Sequence, residues 1–241
     1  MRFILVDTAN ARGSVALCQD AETPCVELHS GEEDYSSWLL PAVERVLCRW
    51  SLTLSELDGY AVCAGPGSFT GLRVGLTTVK AWAEVYPKPI APVSGLEALT
   101  LANATIEQDF VAAYIDARRN QVFAALYKRQ ADGFQLLGEE SVTALSVFIE
   151  RVAVESLGQA VHWITPDPEL LGPLPQWRTL AGGGHSLEQI APPFADCLGR
   201  LAYQKFRQGK TTDAISLDAH YVRRSDAEIF WKGTRSPALR P

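Results

Sequence analysis

The chain is short of the residues and spacings that most catalytic sites need. Its four histidines (His29, His162, His185, His220) stand apart, with no HxxxH or HExxH pair to set two imidazoles on one helix face. That argues against a metal centre of the metallopeptidase kind. The five cysteines (Cys18, Cys25, Cys48, Cys63, Cys197) are odd in number and contain no CxxC pair, so reduced and mostly buried thiols are expected. No GxSxG elbow occurs, and Ser68 has no evident base. Basic residues are in deficit, 22 Lys and Arg against 28 Asp and Glu, for a net charge of −6. Unaided grip on a polyphosphate backbone is therefore disfavoured, and a role beside a nucleic acid would require a more basic partner. No apolar run reaches the length of a membrane span, and the N-terminal one ends at Asp7, too short for a signal peptide. A cytoplasmic protein is the expectation.

What remains is an ordinary globular composition, with 47% hydrophobic and 21% charged residues over 241 positions, enough for one large domain or two smaller ones. Residues 3–9 read as a buried strand, 14–19 as its hairpin partner and 25–30 as a third strand. Residues 36–50 read as a helix with Pro41 tolerated in its first turn. A short strand at 59–63 runs into Gly65-Pro66-Gly67-Ser68-Phe69-Thr70-Gly71, and a second helix follows from Gly71 to Val85. A strand at 90–93 and a helix at 94–104 complete this half.

From Val111 the opening pattern recurs at an offset of 109. Asp116 falls on Asp7, Ile115 on Val6, Ala125 on Ala16 and Leu126 on Leu17. Each copy is an apolar strand ending in Asp, a polar turn and a second apolar strand, the layout of a duplicated α/β fold. We therefore expect an N-terminal lobe at 1–108, a C-terminal lobe at 109–224 and a tail at 225–241. In the second half, 143–156 and 192–208 read as helices, 165–177, with four prolines, as a surface loop, and 180–185 as a glycine turn.

Two groups of residues invite a functional reading. Asp7 and Asp116, at corresponding strand ends, are placed to hold the magnesium of a nucleotide if the lobes face each other, or each merely caps its own turn. Gly65, Gly67 and Ser68 before a helix have the ingredients of a phosphate cradle, yet no Lys-Ser/Thr follows as in a P-loop. The second group lies on the two N-terminal helices. Gly71, Val74, Gly75, Thr78 and Trp82 share one face, and Trp38, Leu39, Leu40, Val43 and Leu47 give the first helix an excess of apolar surface. Such helices are covered on both sides, by their own sheet and by either the same subunit or a partner.

Residues 4–9 (ILVDTA), 63–75 (CAGPGSFTGLRVG), 92–99 (PVSGLEAL), 115–118 (IDAR) and 220–224 (HYVRR) resemble the TsaB (YeaZ) family over nearly the whole chain. The resemblance implies a two-lobed actin-like ATPase fold, of the ASKHA, ribonuclease H-like kind, and no metal ligands or catalytic residues of its own. It implies a non-catalytic subunit needed for N6-threonylcarbamoyladenosine at position 37 of tRNAs that read ANN codons. The partners so implied are the catalytic paralogue TsaD, which has the HxxxH motif missing here, the ATPase TsaE, and tRNA only indirectly. The two N-terminal helices would bind TsaD, or a second copy when the subunit is alone. ATP or ADP with Mg would enter only in the assembled complex. Asp7, Thr8, Gly65, Gly67, Ser68, Asp116, Arg118 and Gly183 would then be a vestigial nucleotide cleft. Two other functions compatible with the residues are an active small-molecule kinase or ATPase of the same fold and an M22-like metallopeptidase, the latter disfavoured by the missing ligands. Tyr35-Ser36-Ser37 departs from the family's His-Ser-Glu at that place, and 165–177 and 229–241 match poorly.

Overall fold

The computed structural model describes residues 1–102, 107–131, 133–220 and 222. The first half carries β1 (Arg2–Asp7), β2 (Ser14–Gln19), β3 (Glu22–Leu28), α1 (Tyr35–Arg49), β4 (Gly59–Gly65), α2 (Phe69–Val85), β5 (Ile90–Ser94) and α3 (Gly95–Leu99). The second carries β6 (Phe110–Arg118), β7 (Gln121–Gln130), β8 (Gly133–Thr143), α4 (Leu145–Glu155), β9 (Val161–Thr165), α5 (Pro175–Gly182), β10 (Ser186–Gln189) and α6 (Ala195–Arg207).

The strands form two five-stranded sheets, ordered β3-β2-β1-β4-β5 and β10-β9-β6-β7-β8. Read from β8, the second repeats the first: an antiparallel hairpin, a third antiparallel strand, then two parallel strands on the other side. The recurrence of Asp7 at Asp116 is thus the trace of a duplicated sheet.

β6 shows why its sequence is apolar without alternation. Phe110, Ala112 and Tyr114 point into a core under α4 with Phe148 and Trp163, whereas Val111, Ala113 and Ile115 join the large core of the first sheet. Both faces are buried, as in the central strand of a covered sheet. The large core also takes Phe123, Ala125 and Tyr127 from β7, so the two sheets share one continuous apolar seam. α6 lies with the first sheet, not the second. It packs across β5, β3, β2, β1 and β4, with Phe206 against Phe3 at 5.1 Å between ring centroids.

Four local expectations are revised. α1 begins at Tyr35, with Asp34 as its N-cap residue, which puts Pro41 in the second turn on the exposed side, where the carbonyl it cannot pair with is solvated. α3 is one short turn capped by Ser94, whose Oγ accepts from Leu96 and Glu97 N–H at 3.2 Å. The proline-rich stretch is not a loop throughout. Pro168 and Pro175 start a 3-10 turn and α5, the position where a fixed φ suits a helix, and Leu171 is fully buried beneath them. β8, β9 and β10 have no counterpart in the expected elements: two are short, and β8 is a partly exposed strand whose register on β7 shifts between Leu137 and Ser141. The expected helix end at 104, Tyr221, Arg223, Arg224 and the tail at 225–241 lie outside the described residues.

Candidate functional site

The hairpin turn after β1 is held shut from within. Asp7 is buried, its Oδ1 accepts the Ala9 N–H at 2.9 Å, and burial raises its carboxyl pKa to about 6, the neighbouring Ala9, Asn10 and Cys63 pulling the other way. Thr8 donates through Oγ1 to the Gly71 carbonyl at 2.7 Å. Tyr35, the first residue of α1, closes the far side: its hydroxyl accepts from Gly13 N–H at 2.7 Å and donates to the Asn10 carbonyl. The Tyr35 ring stacks on His29 at 4.2 Å, and His29 donates through Nε2 to the Glu33 carbonyl at 2.7 Å while its Nδ1 accepts from Gly31 N–H at 3.2 Å.

The glycine-rich run packs onto that turn. Ser68 N–H donates to the Ala9 carbonyl at 2.8 Å, and Ser68 Oγ caps α2 by accepting from Gly71 N–H at 3.3 Å. A Cβ on Gly67 would stand 2.4 Å from the Ala9 carbonyl oxygen, one on Gly71 2.0 Å from that of Thr8, and one on Gly75 2.4 Å from Thr8 Oγ1. These glycines therefore let α2 lie directly on the β1–β2 turn. Gly65, with φ of 130°, has the backbone carbonyl of His220 over it, 2.8 Å from where a Cβ would sit.

This geometry corrects the expected partner surface. Trp38, Leu39, Val43 and Leu47 on α1 and Gly71, Gly75 and Trp82 on α2 are buried inside the chain itself. Their small or apolar character serves the lobe's own packing. Of the ten, Leu40 is 58% exposed and Val74 and Thr78 are half-buried, so these three define what the helices still offer outward.

In the second lobe Asp116 takes the turn-capping role. Its Oδ1 accepts from Arg118 N–H at 2.7 Å and its Oδ2 lies 3.2 Å from the Arg118 guanidinium, itself 82% exposed. Asp116 N–H in turn donates to Asp167 at 2.8 Å. Arg118, Arg119 and Asn120 all have φ near +60°, giving a tight turn with no room to wrap a phosphate. Gly183 ends α5, its N–H bonded to the Leu180 carbonyl, and is not among the groups around Asp7. The structure thus assembles Asp7, Thr8, Gly65, Gly67 and Ser68 in one place and puts Asp116 with Arg118 in another.

Between the lobes opens a cavity of about 660 Å³, walled by Gly65, Ser94, Glu140, Lys205, Asp218 and His220 among others. Glu140 and Lys205 escaped the sequence reading, because β8 gave no strand pattern and α6 gave no hint that it would cross to the first sheet. The Mg-nucleotide considered for Asp7 and Asp116 does not fit the groups as arranged, because the two carboxyls stand in separate turns. The amides of Ala9, Gly13 and Ser68 are already bonded within the chain. Among the described residues, no three His, Cys, Asp or Glu side chains stand close enough to hold a metal ion together.

Two sheets of identical order joined by a shared core, with a cleft between them, define a two-lobed α/β protein of the actin-like ATPase type. A family model described as "TsaD: tRNA N6-adenosine threonylcarbamoyltransferase" matches residues 29–170, more than half the chain, and the chain belongs to this family, on its TsaB (YeaZ) side. It is 29% identical over 238 residues to the tRNA threonylcarbamoyladenosine biosynthesis protein TsaB of Escherichia coli, covering 96% of this chain and 97% of that protein. The solved structure of YeaZ from Pseudomonas aeruginosa superposes with a TM-score of 0.70 at 26% identity, covering 91% of this chain and 99% of that one. A ROK hexokinase from Thermus thermophilus, at 12% identity and a TM-score of 0.51 over 87% of this chain and 100% of that one, shares the fold alone.

Proposed function

We propose that this chain is a non-catalytic subunit for forming N6-threonylcarbamoyladenosine at position 37 of ANN-decoding tRNAs, working as the partner of a TsaD-type catalytic paralogue. The observation that carries the reading is the closed β1–β2 turn. The Tyr35 hydroxyl, the Ala9 carbonyl and the Asp7 carboxylate take up the Gly13, Ser68 and Ala9 N–H groups that a phosphate would need, so the ancestral nucleotide site is closed by the chain's own atoms. The E. coli relative's name supplies the pathway. The net charge of −6 supports a subunit that meets tRNA through its partner, in the cytoplasm.

The docking surface in this proposal is the outer side of α1 and α2 around Leu40, Val74 and Thr78, and in the absence of the paralogue a second copy of this chain uses it. The ATPase TsaE joins the assembled pair, and ATP or ADP with Mg enters there. Reconstitution of the modification with TsaD and TsaE, with and without this chain, is the test. Product formed at the same rate without it overturns the proposal, as does tight Mg-ATP binding with turnover by the isolated chain. Leu40→Asp is expected to abolish co-elution with TsaD while leaving the circular dichroism spectrum unchanged, since Leu40 is largely exposed.

A further inference from the structure

Glu140, on β8, has a side chain only 5% exposed at the seam between the lobes. Groups from both sides converge on it. Ser94 Oγ, at the end of β5, donates to Oε1, and the Tyr127 hydroxyl on β7 donates to the same oxygen at 3.3 Å. His220 Nε2 lies 3.2 Å from Oε2, within ion-pair distance though not aligned as a hydrogen bond, so Oε2 has no hydrogen-bond donor among the described residues; the His220 side chain is itself 56% exposed. His220 belongs to a strap anchored on the first sheet. Thr212 and Ile90 exchange backbone bonds of 2.9 and 2.8 Å, Leu217 is buried in the shared core, and His220 N–H donates to the Ala64 carbonyl at 2.8 Å. The strap therefore ends with its backbone on β4 and its imidazole on β8.

We propose that Glu140 and His220 form an interlobe latch, closed when the imidazole is protonated and loosened when it is neutral, so that the strap and the second sheet part at the cleft. The latch is independent of the role in tRNA modification. Its physical basis is that a carboxylate this buried is stable only with a counter-charge or a full set of donors, and Ser94 and Tyr127 both serve Oε1. The Oε2 side depends on His220, the side chain that changes charge near neutral pH.

The Glu140 carboxylate beside it raises the His220 pKa, against burial, which lowers it. A raised folded-state value means the contact is at full strength below the ordinary histidine range and is lost as pH rises through the raised one. Among the described residues, the other charged or titratable groups facing the site are Glu139 on β8, Asp218 on the strap, Lys205 on α6, Tyr127 on β7, Cys63 on β4 and, beyond Cys63, Asp7. Lys205 is occupied by the Pro92 carbonyl at 3.0 Å and Glu97 at 3.2 Å. Burial pushes the Cys63 thiol and the Tyr127 phenol up, so both stay neutral over the range concerned. Asp7 titrates at about 6 and must be separated by a variant.

Hydrogen-exchange mass spectrometry of the peptide covering residues 212–222 makes the test, with protection factors at about pH 6 and about pH 8.5 on either side of the histidine range. Wild-type protection is expected to fall several-fold between the two, while His220→Gln and Glu140→Gln show the lower protection at both. His220→Lys, charged throughout, is expected to keep the higher protection at both. Unchanged exchange in β1 and β6 peptides certifies that each variant is folded. Wild-type protection independent of pH overturns the latch, and so does a His220→Gln variant that keeps the full wild-type fall, since Asp7 or another group would then be its source.

Discussion

The hairpins that open the two lobes have the same strand order and opposite chemistry. β1 and β2 are joined by the six residues 8–13, with Asp7 paired to Ser14; β6 and β7 are joined by two, with Asp116 paired to Val122. The start of the longer turn, Thr8 and Ala9, is buried under α2, so Asp7 loses water and its proton is held more tightly. The shorter one stays at the surface, and Asp116 keeps an exposed arginine for company. Duplication copied the sheet, and the cover laid on the first turn by Tyr35, Ser68 and Gly71 decided which aspartate would be entombed.

Substitutions can break this contrast at graded cost. The largest effect is expected from Gly71→Ala, whose Cβ would stand 2.0 Å from the Thr8 carbonyl, a backbone atom that cannot swing away. Thermal or urea unfolding should show a loss of about 3 kcal/mol or more. Asp7→Asn should act in the other direction, and only at higher pH. A carboxyl raised from 3.8 to about 6 contributes fully below the lower value and loses stability as pH rises through the upper one. The variant should remove that pH dependence, gaining at most about 3 kcal/mol above it, at about 1.4 kcal/mol per pH unit. Denaturant midpoints at several pH values check both the sign and the window.

Tyr35→Phe is expected to cost about 2 kcal/mol, because Gly13 N–H and the Asn10 carbonyl both lose their partner in a part-buried turn. It also sharpens the functional contrast: an opened turn should admit anions, so weak phosphate-dependent stabilisation appearing in this variant alone would mark the ancestral cradle. Arg118→Ala should change stability by no more than about 0.5 kcal/mol, since an exposed ion pair is screened by water. A larger loss would show that the second turn is more than a surface cap.

Much of the architecture was legible from residue order. The buried strands β1, β2, β4 and β6 are dense in Val, Ile, Leu and Ala and end in recognisable turns, and the recurrence of Asp7 at Asp116 reports the duplication directly. The edge of the second lobe was not legible. β8 pairs through its backbone while carrying Gln135, Gly138, Glu139 and Glu140, which give no strand alternation, and Glu140 is buried where Ser94 of the first lobe and Tyr127 of the second meet on it. The outward surface of α1 and α2 was overestimated for a related reason. Apolar periodicity states that a face is covered, and cannot state by what.

By itself, then, the order of amino acids determined the elements, the twofold repeat and the family motifs, since strand and helix propensity and hydrophobic period are local properties of the chain. Only the tertiary structure decided that Trp38, Gly71 and Gly75 face inward, that α6 returns to the first sheet, and that Glu140, Ser94 and His220 meet. Those facts depend on contacts between residues far apart in the chain, such as the His220 N–H on the Ala64 carbonyl 156 positions away, and burial is a property of what the rest of the chain does.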